Sequence, residues 1–199
     1  REFDAVNKVF IENGFYIPEA KGSASWIDKN TLMVSTDFGD GVTTSGYPKQ
    51  VKIWKRDTDL KNAQLVFDGQ EDDMGIWGYT THTKDKTYQI ITQRTSFYTG
   101  SYHIIENGEL VKPDLPEDIE LSGIFNKQVL LSLKSDWNIG GNSFKQGDMI
   151  SIPYADLIKG GTNYQLIVRP DERSSIAETN ATKNVLLVNM LTNVKSELY

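Results

Sequence analysis

Gly14-Phe15-Tyr16-Ile17-Pro18-Glu19-Ala20-Lys21-Gly22-Ser23-Ala24-Ser25-Trp26-Ile27-Asp28-Lys29-Asn30-Thr31-Leu32-Met33-Val34-Ser35, running on through a loop with Gly39, Gly41 and Gly46 to Gln50-Val51-Lys52-Ile53-Trp54-Lys55-Arg56, decides the fold. Ser25-Trp26-Ile27 meets the polar turn Asp28-Lys29-Asn30, and the chain returns as Thr31-Leu32-Met33-Val34. Aromatic and β-branched runs bounded by Asp, Asn and Gly are hairpin chemistry. Gln50 to Lys55 then alternates polar and apolar residues with a period of two, as a strand with one buried face requires. The unit reads as an antiparallel meander.

Working outward, the meander recurs. Ile76 to Thr81 turns at Lys84-Asp85-Lys86 and returns as Thr87 to Thr92, followed by Ser101 to Ile105, Asn107-Gly108 and Leu110-Val111-Lys112. A third unit runs Leu121 to Ile124, turns at Phe125-Asn126-Lys127, returns as Val129 to Leu133, and continues through Gly140-Gly141 to Met149-Ile150-Ser151-Ile152-Pro153, a short helical insertion at Asp156 to Ile158, and Tyr164 to Val168. A fourth opens at Ser174, turns between Asn180 and Asn184, and returns as Val185 to Leu191. The return strands align at Leu32, Tyr88, Leu130 and Leu186, at intervals of 56, 42 and 56 residues.

A four-strand unit recurring every 40–50 residues or so is the pattern of a β-propeller blade. A β-sandwich also carries short strands at regular spacing, and periodicity alone leaves it open. The expected fold is all-β: about four antiparallel four-stranded blades of a partial β-propeller forming one domain over 1–199, with approximate blades 14–69, 75–116, 119–170 and an incomplete 174–199. Ahead of the first unit, Phe3 to Phe15 alternates loosely and is expected to close a hairpin at Asn13-Gly14, while Leu60 to Ala63 reads as one helical turn before the strand Gln64 to Phe67.

Composition narrows the function classes. The 199 residues are 38% hydrophobic and 24% charged, which suits a packed domain rather than a disordered chain. A net charge of −6 with no basic run argues against nucleic acid as a main partner. No stretch approaches the roughly 20 apolar residues of a membrane helix, so no membrane partner is expected. Cysteine is absent, which removes disulfides, thiolate nucleophiles and Cys-bound zinc together and is compatible with the cytoplasm or a bacterial periplasm. The chain begins at Arg1 rather than Met, as expected of a piece cut from a longer protein.

Candidate chemistry is sparse. A hydrolase nucleophile elbow needs Gly-x-Ser-x-Gly, and no serine has glycine at both places; Ser143 follows Gly141 but precedes Lys145. A catalytic triad needs histidine, and the two present, His82 beside a turn and His103 in a strand, read as ordinary surface and partly buried residues. Asp37-Phe38-Gly39 copies a kinase tripeptide without its companion motifs and reads as a turn. Asp37 and Asp40, with Asp72 and Asp73, are the carboxylates that could serve glycosidic chemistry or calcium, though loop acids are mostly solvated. Asn180-Ala181-Thr182 matches an N-glycosylation acceptor, a pattern that arises often by chance. Trp26, Trp54, Trp77 and Trp137 read as blade-packing residues. No catalytic, cofactor-binding or metal-ligating residue is singled out, and no cofactor is expected.

Several of these runs together resemble one family. Glu12-Asn13-Gly14-Phe15-Tyr16-Ile17-Pro18-Glu19-Ala20-Lys21, Ser25-Trp26-Ile27-Asp28, Thr36-Asp37-Phe38-Gly39 with Ser45-Gly46-Tyr47-Pro48, and Val51-Lys52-Ile53-Trp54-Lys55-Arg56 are similar to the non-catalytic propeller of the bacterial prolyl oligopeptidase family; Val66-Phe67-Asp68-Gly69 and Ser135-Asp136-Trp137 extend the likeness. The resemblance implies a serine peptidase in which a propeller, usually seven-bladed, covers an α/β-hydrolase domain and admits only short peptides. It implies that this chain is the gating propeller portion without the hydrolase domain, that its partners are that domain of the same parent chain and the parent's short peptide substrates, and that the isolated piece is not an enzyme. Unpaired outer strands would promote self-association. The other reading is a stand-alone propeller module binding peptide or glycan through Tyr47, Trp77 and Trp137.

Overall fold

In the computed structural model, which describes residues 1–39 and 41–199, the chain is almost entirely antiparallel sheet, and it divides into two units, 1–112 and 113–199. The first unit holds a short hairpin, β1 (Phe3–Asp4) and β2 (Val9–Phe10), and two four-stranded sheets. The first sheet is ordered β3 (Ser23–Asp28), β4 (Thr31–Ser35), β5 (Gln50–Lys55), β6 (Gln64–Asp68), with a 3-10 turn at Leu60–Asn62 before β6. The second is ordered β7 (Gly75–His82), β8 (Thr87–Arg94), β9 (Gly100–Glu106), β10 (Glu109–Val111). Each follows the chain from one edge to the other, as a repeated meander must. The expected propeller-like, all-β class is what the backbone forms.

Alternation explains the packing of these two sheets. Along β4, Leu32 and Val34 face one way and join Phe15 and Trp54, while Met33 faces the other way and joins Val51, Ile76 and Ile91. Both faces of β4 are therefore buried, which is why its sequence is a continuous apolar run rather than an alternating one. Burying a side chain of this size stabilises by about 1.5–3 kcal/mol, so this strand anchors the unit. The N-terminal segment is pinned to the same sheet. Arg56 donates two bonds to the Glu2 carboxylate, at 2.8 and 2.9 Å, and lies 4.6 Å from the centre of the Phe15 ring. Those hydrogen bonds hold the Glu2 carboxyl below its ordinary pKa.

The edge of β7 faces the first sheet, and its closure is chemical. The backbone N–H groups of Ile76, Gly78 and Thr80 donate to Pro48 O (2.8 Å), Ser35 Oγ (2.8 Å) and Ser25 Oγ (2.9 Å). Thr80 Oγ1 donates in turn to Trp26 O at 2.7 Å. These alternate donors of the open edge thus find acceptors on the neighbouring sheet without a strand-to-strand ladder. The approach is close: a Cβ on Gly78 would lie 2.6 Å from Met33 Sδ and 2.7 Å from Val51 Cγ1.

In the second unit the sheet order is β11 (Glu120–Phe125), β12 (Gln128–Ser132), β15 (Met149–Pro153), β16 (Gln165–Val168). Between β12 and β15 the chain makes a separate hairpin, β13 (Trp137–Ile139) with β14 (Asn142–Phe144), and after β15 a single helical turn, α1 (Tyr154–Leu157). A three-stranded sheet follows, β17 (Ser174–Ala181), β18 (Leu186–Thr192), β19 (Lys195–Leu198). The β13–β14 excursion is organised on acids. Asp148, fully buried, accepts from Arg169 Nε at 2.8 Å and from the Lys145 N–H at 2.8 Å. Burial alone would raise the pKa of this carboxyl, but those donors outweigh it and hold it low.

One expectation is corrected, and two features go beyond the sequence reading. Asn13-Gly14 does not close a hairpin: Gly14 N–H bonds to Ile11 O with Asn13 at φ 58°, an isolated turn, and the hairpin lies upstream between β1 and β2, where the Asp4 carboxylate accepts the Val6 and Asn7 N–H groups. Gly140-Gly141 is the tight turn of its own hairpin, with both residues at positive φ. Strand β19 goes beyond the sequence expectation, because its turn is Asn193-Val194, at φ 50° and 66°, where a β-branched residue gives no turn signal.

Gly78→Ala should lower the unfolding free energy by about 1–3 kcal/mol through overpacking against Met33 and Val51, read as a lower thermal midpoint. A midpoint equal to the parent's would mean that the two sheets are less closely fitted than described. Arg169→Met should lower the midpoint further than Gly78→Ala, because it strands the Asp148 charge in the interior.

Candidate functional site

Several polar side chains of the first unit converge on a buried network. Asp73, 3% exposed, sits in the connection between β6 and β7, and its Oδ2 accepts from the Gln70 N–H and from Gln93 Nε2, both at 2.8 Å. A carboxylate only accepts, so the Gln93 amide must turn its nitrogen to Asp73 and its oxygen the other way. That oxygen meets Ser101 Oγ and His103 Nε2, each at 3.3 Å, and Ser101 Oγ lies 3.1 Å from His103 Nε2. The alternation of β8 and β9 places Gln93, Ser101 and His103 on one side of the sheet, because Gln93 pairs directly with Ser101.

Ser101 and His103 have the spacing of a nucleophile and its base, so their electrostatics matter. His103 is 7% exposed and its ring lies 4.5 Å from Phe67. Burial, with a smaller contribution from Lys112, lowers its pKa to about 4. Such an imidazole takes a proton reluctantly near neutrality and is a weak general base. Asp73, the acid of the network, bonds to Gln93 and not to the imidazole. The arrangement is a polar tie joining β8 and β9 to the connection between β6 and β7.

The other residues flagged by the sequence are scattered. His82 is exposed; its Nε2 lies 2.7 Å from Trp26 O and its Nδ1 2.9 Å from Thr87 Oγ1, so it joins the β3–β7 seam. Asp37 is exposed and accepts the Gly39 N–H at 2.8 Å, the turn role read from the sequence. Asp72 is exposed, and Asp40 lies outside the described residues. Asn180 is exposed on β17. Of the tryptophans, Trp54 is core and donates from Nε1 to Thr58 O at 2.8 Å. Trp26, opposite Leu32 on the sheet's edge strand, packs edge to face on the Phe15 ring and keeps 42% exposure because no strand lies beyond it. Trp77 meets Tyr47 at 5.7 Å, and Trp137 meets Tyr164 at 4.8 Å. Among the described residues no group of three or more His, Asp or Glu side chains is placed to hold a metal ion.

The second unit contributes a cleft of about 560 Å³ between β11–β12 and β17, lined by Glu120, Ser122, Lys134, Ser175 and Glu178 among others. Within it Lys134 Nζ lies 2.7 Å from Glu120 Oε2. No sequence motif points to this cleft, because its walls are ordinary polar strand residues.

Comparison with known proteins then places the chain. It aligns over its whole length with an uncharacterized peptidase of Sinorhizobium fredii at 32% identity and with another of Rickettsia prowazekii at 25%. It is homologous to a segment of bacterial peptidases. The chain spans 29% and 30% of those two proteins. All of it also superposes on 31% of the structure of a post-proline cleaving enzyme from Rickettsia typhi, with a TM-score of 0.92 at 23% identity. No family model matches the sequence. The resemblance to prolyl oligopeptidases read from residues 12–56 is borne out by these relatives.

His103 supplies a test of the network. Its folded pKa lies below the ordinary 6.5, so the unfolded chain takes up the proton first. The stability it contributes is complete above about pH 6.5 and is lost as pH falls toward 4. Urea midpoints measured from pH 7 to pH 4 should fall more steeply for the parent than for His103→Gln. Parallel slopes would show that the imidazole is not held neutral in the fold.

Proposed function

We propose that this chain is the propeller portion of a longer, prolyl-oligopeptidase-like serine peptidase, and that it works by limiting which peptides reach a catalytic α/β-hydrolase domain elsewhere in the same parent. The observation that carries the reading is the end-to-end match to under a third of each peptidase relative. Four-stranded sheets of the propeller type and the absence of Gly-x-Ser-x-Gly from the sequence support it. On this reading the 199 residues contribute about four blades of one partial propeller domain, and selection is by size: the propeller excludes folded proteins and passes short peptides. Post-proline cleavage, the activity for which the Rickettsia typhi enzyme is named, is the reaction proposed for the parent.

The hydroxyl-closed seam bears on this role. A gate must hold its aperture, and the β3–β7 seam joins neighbouring sheets through directional bonds as well as through apolar packing. The exposed apolar residues Leu191 and Leu198 on the last sheet, with Val185 just before it, also favour self-association of the isolated piece.

The 199-residue chain alone should not hydrolyse a proline-containing peptide ester, whereas the full-length protein should cleave short proline-containing peptides and spare the same sequence embedded in a folded protein. Turnover by the purified 199-residue chain that survives repurification would overturn the reading, as would full-length protein that cleaves folded substrates as readily as peptides.

A further inference from the structure

Strand β17 is the edge of the last sheet, and it runs along the cleft that separates it from β11 and β12. The direction of its backbone groups follows from the strand on its other side. Val188 of β18 bonds through both its N–H and its C=O to Tyr199, at 2.9 Å each, so those groups point away from β17. Thr179 lies directly opposite Val188 and is therefore a pair without hydrogen bonds in the β17–β18 ladder; its own N–H and C=O turn outward, away from β18. Ile176 has the same sense, because it lies opposite Met190, which pairs with Glu197 of β19 in step with Val188. In the first unit the corresponding edge of β7 is closed by the hydroxyls of Ser35 and Ser25. Here the serines of the facing wall, Ser122 and Ser132, bond to each other at 2.7 Å, and the β17 edge meets an open cleft of about 560 Å³.

Backbone groups and charge together identify the occupant. An extended chain laid beside β17 offers carbonyls to the N–H groups of Ile176 and Thr179 and N–H groups to their carbonyls, bonds that any peptide sequence can make. The six residues from Ser174 to Thr179 line the cleft, a run of about 20 Å at the usual strand rise, which suits a peptide of about the same number of residues. The lining carries three carboxylates, Glu120, Asp171 and Glu178, against one ammonium, Lys134, which Glu120 holds at 2.7 Å. Asp171 accepts the Arg173 N–H at 2.9 Å, whereas Glu178 is exposed on the strand itself. The surplus is negative, so acidic peptides are repelled and a cationic side chain is drawn in. We propose that this cleft binds short extended peptides by strand addition to β17, and that Glu178 selects those with a basic side chain. The inference rests on the reading of the parent as a peptidase only for the source of such peptides.

The test titrates the full-length protein with the peptide Val-Thr-Lys-Thr-Val-amide, carrying a neutral BODIPY label on its amino terminus, and follows fluorescence anisotropy. The label blocks the terminus, so lysine is the one cation, and without proline the peptide is no substrate for post-proline cleavage. Saturable binding should weaken by at least about tenfold when glutamate replaces the lysine, because like charges then meet. Glu178→Gln should shrink that preference. Thr179→Pro, which removes an N–H that faces the cleft and leaves the ladder to β18 intact, should weaken binding by about threefold to tenfold. No saturable binding, equal affinity for the two peptides, or affinities that neither variant alters would overturn the proposal; the first is also the result if a second copy fills the cleft. Should Thr179→Pro fail to fold, Glu178→Gln decides alone. Variant-sensitive binding by a protein that cleaves no peptide would leave the cleft assignment intact and sink the peptidase reading, and cleavage without such binding would do the reverse.

Discussion

The first unit depends on how the open edge of β7 is satisfied. An edge strand exposes every second N–H and C=O, and buried donors without acceptors are costly. Here the donors of Ile76, Gly78 and Thr80 are taken by one carbonyl and two serine hydroxyls of the neighbouring sheet. Gly78 has no side chain, so the sheets approach closely enough for those bonds to form, and Met33 and Val51 then fill the space beside it. Hydrogen bonding and apolar packing at this seam are one constraint: neither survives a wider gap.

Around that seam the polar groups hold one another in place. The Asp73–Gln93–His103 chain satisfies three side chains in sequence, each fixing the orientation of the next. The Glu2–Arg56 pair ties the N-terminal segment to the first sheet, and Asp148 with Arg169 orders the β13–β14 excursion in the second unit.

Much of this is legible in the sequence, and the reasons differ by element. The return strands at Leu32, Tyr88, Leu130 and Leu186 stand out because each has a buried stretch that reads as an apolar run. Asn107-Gly108 and Asn126 announce their turns through residues that tolerate positive φ. Asn193-Val194 adopts the same geometry with a residue that does not, and β19 is hidden with it. The seam is invisible for another reason: Ser25 and Ser35 are ordinary in one dimension, and only folding brings them within 3 Å of an edge that lies 55 and 43 residues further on.

A seam made of hydroxyls has a consequence for how such proteins change over evolutionary time. Backbone ladders would fuse neighbouring sheets into one continuous ribbon, in which an added strand shifts the pairing of everything beyond it. Serine hydroxyls rotate, accept from one edge and carry no register of their own, so each sheet keeps its own internal count. Whole sheets can then be duplicated, lost or exchanged without renumbering their neighbours, and the unit of inheritance is the sheet with the two or three small polar residues that face the next edge.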